Sequence, residues 1–245
     1  SIEEAKSVVK GTQNLVQCNY CGFVYNCEFK EDKVQYSTDY HTERGHSIYY
    51  LQHTNRVVDF IESVKPIKGQ RCLEVACGNG EFLHEISKRG PDKVIGVDPS
   101  VSEDYDLSIE LQCALFDEDY LQKMERPVDL LINRHMIEHI LNPLEMLIRF
   151  NKALKADGVL YLEMPRSDWI LENKTFFDFP YEHCAYYSDD LISRLLRAVG
   201  FEISEKENSY DGQYFSICAR KVKEQVALAQ SSLEDILRVQ GLFSA

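Results

Sequence analysis

The stretch Arg71-Cys-Leu-Glu-Val-Ala-Cys-Gly-Asn-Gly-Glu-Phe-Leu83, followed by Lys93-Val-Ile-Gly-Val-Asp-Pro99, decides the fold. Its first part reads as a short apolar strand carrying Cys72, Leu73 and Val75, then a turn of small residues, then a helix. Gly78 and Gly80 let the backbone approach a ligand where any Cβ would clash. The second part is another buried strand, ending on Asp98. In a strand–turn–helix–strand unit that acid lies at the carboxyl edge of the neighbouring strand, where a carboxylate binds ribose hydroxyls.

A nicotinamide-dependent oxidoreductase would carry a fuller G-x-G-x-x-G, with a helix N-terminus facing a pyrophosphate. Here the turn has two of those glycines, Glu81 stands where an anion would approach, and Glu74 sits inside the preceding strand. Acids at these places repel pyrophosphate and suit a cationic ligand. The E-x-A-C-G-N-G pattern with Asp98 resembles the first two motifs of class I S-adenosylmethionine-dependent methyltransferases. An ordinary βα turn with incidental glycines is the bland alternative, and two linked motifs in agreement weigh against it.

The 245-residue chain is long enough for one sizeable domain with an appendage. Its 44% hydrophobic and 27% charged content is that of a soluble globular protein. A net charge of −13 argues against unassisted binding to nucleic acid or an anionic membrane. No apolar run approaches membrane-spanning length and no signal peptide is visible; it is cysteine usage that makes a reduced, cytoplasmic enzyme, acting on a small molecule, the expectation. Most of the eight cysteines, among them Cys72, Cys77, Cys113 and Cys218, fall in expected strands or turns at irregular spacing, which suits reduced thiols.

Val16-Gln-Cys-Asn-Tyr-Cys-Gly22 places Cys18 and Cys21 at the spacing of a knuckle that presents two sulfurs to one Zn²⁺. Tetrahedral zinc needs four ligands, and Cys27, His41 and His46 are the nearest candidates to complete the set. A knuckle without metal is equally consistent with the spacing. Tyr36 to Tyr50, rich in Tyr, His and Ser, reads as a lid or as a polar surface loop. An amphipathic helix is expected over Tyr49–Val64, with Leu51, Val57, Val58, Phe60, Ile61 and Val64 on its buried side.

Strands and helices then alternate. Leu111–Leu115, Val128–Ile132 and Val159–Met164 read as strands, and Leu141–Leu154 as a helix with Pro143 in its first turn. Ser188 opens a helix closed by Gly200, and Phe201–Ser204 and Tyr214–Cys218 follow as strands with no helix between them. This is the pattern of an α/β fold: a mostly parallel, doubly wound sheet covered on both faces and closed by an antiparallel pair. It matches the seven-stranded, Rossmann-like methyltransferase sheet, here preceded by a short cysteine-knuckle segment. The expected organisation is an N-terminal segment over 1–45, a catalytic domain over 46–220 and an amphipathic helix over 221–245. That helix could pack on its own domain or on a second subunit.

The resemblance implies a cofactor set. Glu74, Ala76, Gly78 and Gly80 would line the amino-acid and sulfonium end, and Asp98 would take the ribose hydroxyls. Pro99, Phe116 and Asp117 would border the adenine, although Asp117 reads equally well as the cap of the next helix. Asn133-Arg-His-Met-Ile-Glu-His139 follows a strand at the same sheet edge and resembles the R-H-x-x-E-H stretch of this methyltransferase group. Asn133 is placed with the cofactor and His135 in contact with cofactor or substrate, while His139 serves there or caps a helix.

Phe176-Phe-Asp-Phe-Pro-Tyr-Glu-His-Cys-Ala-Tyr-Tyr-Ser188 combines aromatics, acids and a histidine in one crossover. His183 has the intrinsic pKa of a general base, and the adjacent Glu182 could orient it; a histidine satisfied by backbone partners is the competing reading. The whole order, C-x-x-C-G, a Tyr-rich segment, E-V-A-C-G-N-G, R-H-x-x-E-H and Y-E-H-x-x-Y-Y-S, resembles the zinc-knuckle methyltransferases, which include deoxysugar C-methyltransferases of antibiotic and surface-polysaccharide pathways. The resemblance covers roughly residues 15–220. It implies that His183 takes a proton beside a keto group, that Glu182 and Tyr181 shape the substrate site, and that Tyr40 reaches in. That family usually carries two C-x-x-C pairs and a large C-terminal domain, whereas this chain shows one pair and ends after one expected helix. A non-catalytic cofactor-binding module is the remaining alternative.

Overall fold

The computed structural model describes residues 9–34, 47–101 and 109–222. Within them the chain runs through β1 (Leu15–Gln17), β2 (Val24–Asn26), α1 (Ile48–Val64), β3 (Arg71–Val75), α2 (Glu81–Ser87), β4 (Lys93–Val97) and β5 (Glu110–Gln112). It continues through α3 (Glu118–Lys123), β6 (Val128–Arg134), α4 (Pro143–Ala153), β7 (Leu154–Pro165), α5 (Ser167–Asn173), β8 (Ala185–Tyr186), α6 (Asp189–Ala198), β9 (Phe201–Ser209) and β10 (Tyr214–Lys221).

Seven strands form the main sheet, in the order β5-β4-β3-β6-β7-β10-β9. The first five are parallel, and β10 lies antiparallel between β7 and β9. The winding direction reverses between β3 and β6, so the loops leaving those two strands diverge and open a crevice at the carboxyl edge. Alternate residues of β3 feed two cores. Leu73 and Val75 pack with Leu147 and Phe150 of α4 and Leu191 and Leu195 of α6. Cys72 packs on the other face with Val57 and Ile61 of α1 and Leu83 and Ile86 of α2. With both faces covered, every residue of β3 is buried, Arg71 and Glu74 included.

Local chemistry sets the helix ends. Asn142 accepts from Glu145 N and Ser188 from Leu191 N as N-caps, and Pro143 occupies the first turn of α4, where no intrahelical N–H is needed. The expected helix over 141–154 therefore starts two residues later, after its cap. Gly200 follows α6 at φ 84, the left-handed stop its position suggested. Gly96 in β4 has a different duty: a Cβ there would lie 2.6 Å from Cys77 Sγ and 2.8 Å from Leu83 Cδ1, so α2 and its turn seat against β4 only because the side chain is missing.

The second sheet was not expected. β2 pairs with β1 on one side and with β8 on the other, so the N-terminal ribbon is stitched to the loop that carries His183. Its turn holds the two knuckle cysteines: Cys18 N donates to Phe23 O at 2.8 Å, and Gly22 N to Cys18 O at 2.9 Å, with Gly22 at φ 73. Backbone hydrogen bonding at Cys21 lowers the Cys18 thiol pKa, while burial raises that of Cys21. Among the described residues no third Cys, His, Asp or Glu joins the pair, so the expected zinc set is two ligands short there. His41, His46, Tyr40 and the C-terminal helix lie outside the described residues. No helix among the described residues is long and apolar enough to cross a membrane.

Candidate active site

The crevice between β3 and β6 widens into a cleft of about 1010 Å³. Three residues after β3 take left-handed backbone: Ala76 at φ 61, Gly78 at φ 52 and Gly80 at φ 79. Ala76 pays a steric cost that the surrounding structure must hold, and its N–H is fixed to Val97 O at 2.8 Å. Gly78 N donates to Asp98 Oδ2 at 2.9 Å. The other oxygen, Oδ1, accepts from Ser100 N at 2.7 Å and from Ser100 Oγ at 2.5 Å.

Two oxygens at this end, Glu74 Oε2 and Asn79 Oδ1, are buried without a hydrogen-bond partner. Burial pushes the Glu74 carboxyl up to about 8, with the Arg134 charge pulling the other way. Unsatisfied acceptors beside a turn of left-handed backbone fit a ligand that brings donors and positive charge, as the ammonium and sulfonium of S-adenosylmethionine do.

Pro99, Phe116 and Asp117 also line this part of the cleft. Asp117 Oδ1 accepts from Tyr120 N at 2.9 Å, so it caps α3 while standing on the wall. Gly80 and Asn133 stand behind the wall. Gly80 is the N-cap of α2 and packs on Leu111. Asn133 is fully buried, and its amide donates to Val75 O at 3.0 Å, bracing the strand end that carries the turn.

The other part of the cleft is built by the turn after β6 and the loop before β8. They supply His135, Glu138 and His139, and Glu182 and His183, respectively. The His139 and His183 rings meet edge to face with centroids 4.8 Å apart. Glu138 is 2% exposed; His135 Nδ1 lies 3.7 Å from its Oε1, and its Oε2 has no hydrogen-bond partner. Burial opposes ionisation of Glu138, but the imidazoles of His135, His139 and His183 around it hold its pKa below the usual range. Burial pushes His183 down to about 4, against the pull of Glu138.

Tyr181 stands behind the wall of the expected substrate site, next to Phe29, Pro180 and Glu182, which line the cleft. Its ring packs on Phe29 at 5.4 Å, and its hydroxyl accepts from Lys30 N at 2.9 Å, so it faces the N-terminal ribbon and does not line the cleft.

Sequence reading did not find the charge cluster beneath the floor. Glu163 of β7 is fully buried and accepts from Arg134 Nε at 3.1 Å, from His53 at 2.9 Å and from the Tyr161 hydroxyl at 2.9 Å. His135 Nε2 comes within 2.9 Å of it without hydrogen-bond alignment. Burial would neutralise Glu163, but Arg134 and the two histidines outweigh it and hold the carboxyl well below its usual range. One signal was available: Glu163 is the lone charge in the apolar run Val159–Met164, and a charge inside a doubly covered strand must find a partner.

The sheet order, the left-handed turn after β3 and the acid at the end of β4 are those of a class I S-adenosylmethionine-dependent methyltransferase. Residues 44–206 match the family model described as a methyltransferase domain, and the chain belongs to that family. Among curated relatives, the tRNA U34 carboxymethyltransferase of Helicobacter pylori (strain Shi470) is 27% identical over 117 residues, covering 43% of this chain and 44% of that protein. The C-methyltransferase NovU of Streptomyces niveus is 25% identical over 160 residues, covering 62% of this chain and 38% of that protein. The chain thus spans less than half the length of these relatives.

Solved structures share the fold. The 1,6-didemethyltoxoflavin-N1-methyltransferase of Burkholderia thailandensis, solved with 1,6-didemethyltoxoflavin and S-adenosylhomocysteine, superposes with a TM-score of 0.56 at 15% identity, over 70% of this chain and 79% of that one. The magnesium protoporphyrin IX methyltransferase of Synechocystis PCC 6803 with bound cofactor gives 0.52 at 16% identity, over 72% and 81%.

Proposed function

We propose that this enzyme methylates a small molecule, a sugar or nucleotide-linked sugar of a surface-polysaccharide or natural-product pathway, with His183 as the base. The observation that carries this reading is one shared cavity: Glu74, Gly78 and Asp98 line the same cleft as Glu138, His139 and His183. A cofactor turn and an acid–base cluster in one cleft suit a transfer that needs both a methyl donor and removal of a proton.

The bound cofactor supplies an electrophilic methyl group on a sulfonium. Glu74 and Asn79 take its donors, Asp98 takes the ribose hydroxyls, and Phe116 and Pro99 border the adenine. His183 takes a proton from the acceptor, either from the carbon beside a keto group or from a hydroxyl, and leaves the resulting anion to attack in line. Glu138 is the buried carboxylate that balances the charge gained by the imidazole. Glu182 and His135 complete the acceptor side. Similarity to the C-methyltransferase NovU supports a carbon acceptor.

A second reading is favoured by the similarity to tRNA U34 carboxymethyltransferases. The net charge of −13 weighs against it, because an RNA acceptor needs cationic surface to hold phosphates.

The test supplies S-adenosylmethionine with a panel of nucleotide-linked keto sugars, and with U34-containing tRNA as the competing acceptor, and follows release of S-adenosylhomocysteine. His183→Ala should retain cofactor binding and lose turnover by about 10²–10⁴-fold. Turnover on tRNA alone, or near-normal turnover without His183, overturns the reading.

A further inference from the structure

Glu138, His139 and His183 bring more to the cleft than proton transfer requires. A carboxylate oxygen of Glu138 and one ring nitrogen from each histidine all lie within 4.8 Å of one another. Glu138 and His139 leave the turn after β6, and His183 comes from the loop before β8, so two separate elements converge on one point. Two imidazoles and one carboxylate are the donor set that binds first-row transition metals, and three protein ligands leave a position open toward the cleft.

A second observation points the same way. Glu138 Oε2 is buried without a hydrogen-bond partner, on a side chain only 3% exposed. An ionised oxygen so placed is costly until a cation or donor reaches it. His135 Nδ1 stands 3.7 Å from its Oε1, beyond hydrogen-bond reach, so that imidazole does not satisfy the carboxylate.

We propose that Glu138, His139 and His183 form a binding site for a divalent transition metal such as Zn²⁺, and that an occupied site blocks methyl transfer. Bonds of about 2.0–2.2 Å to a tetrahedral ion put neighbouring donors about 3.3–3.6 Å apart. The three side chains therefore close onto the ion by small rotations, without backbone rearrangement. Blocking follows from the lone pair: the nitrogen of His183 that binds the metal is no longer available to take a proton from the acceptor. This part rests on the proposed role of His183; the metal site itself does not. It is also separate from the Cys18–Cys21 pair, whose sulfur donors carry a different spectroscopic signature.

The experiment uses the full chain carrying Cys18→Ser and Cys21→Ser, so that sulfur ligation is removed. Zn²⁺ is titrated by calorimetry and Co²⁺ by visible absorption, each with and without saturating S-adenosylhomocysteine. The expected result is one metal per chain with a Co²⁺ spectrum lacking thiolate charge transfer, and affinity at least about 100-fold weaker in His183→Ala and in Glu138→Gln. Unchanged S-adenosylhomocysteine affinity in both variants shows that they are folded. Equal metal affinity in parent and variants, or no uptake by a protein that binds S-adenosylhomocysteine, overturns the site. No binding of S-adenosylhomocysteine in the parent would instead sink the methyltransferase reading, so the two failures are distinguishable. In the transfer assay one equivalent of Zn²⁺ should lower turnover, and a chelator should restore it. Turnover unchanged or raised by Zn²⁺ overturns the block.

Discussion

Asp98 Oδ2 accepts the Gly78 N–H at 2.9 Å, so the two halves of the cofactor motif are tied to each other across the β3–β4 edge. The carboxylate proposed to meet the ribose is also the clasp that shapes the turn.

Asp98→Ala should therefore remove two things together, the ribose acceptor and the support of Gly78. A charge-assisted hydrogen bond contributes about 1.5–3 kcal/mol, so affinity for S-adenosylhomocysteine should fall by about 10–150-fold in a calorimetric titration. An unchanged affinity would show that the ligand is held without this clasp.

Glu74 gives a pH dependence of definite sign. Its folded-state value of about 8 lies above the reference 4.5, so the unfolded chain releases this proton first. The contribution to stability is fully present below about pH 4.5 and is lost as pH rises through about 8. Glu74→Gln should flatten that decline in thermal scans of the ligand-free protein. In exchange, the variant should lose the rise in S-adenosylmethionine affinity that the parent gains as Glu74 ionises, a gain approaching about tenfold per pH unit below its pKa. Parallel pH profiles for parent and variant would contradict the assignment.

Glu163 holds Arg134 in a site where both side chains are buried. Glu163→Leu strands the guanidinium and should cost about 3–5 kcal/mol in urea unfolding. The double change Glu163→Leu with Arg134→Met should recover a large part of that loss, because no unpaired charge remains. A single variant as stable as the parent would mean that Arg134 finds another partner.

Tyr181→Phe separates packing from chemistry. Loss of the bond to Lys30 N should cost about 0.5–1.5 kcal/mol, while cofactor affinity and turnover stay within about twofold of the parent. A drop of two orders of magnitude in turnover would put the hydroxyl back on the acceptor.

Much of the fold could be read from local pattern. Runs such as Val128–Ile132 fill strands covered on both faces, and Ser188, Pro143 and Gly200 mark helix ends by chemistry that acts within a few residues. What escaped was non-local. β8 has two residues, too few for any periodicity, and exists because β2 lies beside it. Arg134, His53 and Glu163 are far apart in sequence and meet only once α1 lies over β7. In the sequence Glu138 is one position of the R-H-x-x-E-H stretch, with no role of its own assigned; its burial and its closeness to His183 depend on the loop before β8 folding back over it.

That fold-back has a consequence for recombination between relatives. Asn26 N donates to Cys184 O at 3.0 Å and β2 pairs with β8, so the loop bearing His183 is spliced to residues near the start of the chain. A crossover that exchanged only the loop bearing His183, or only the leading ribbon, would separate two halves of one ladder. Chimeras meant to change acceptor choice should inherit both pieces from the same parent, although more than 150 positions of sequence lie between Asn26 and Cys184.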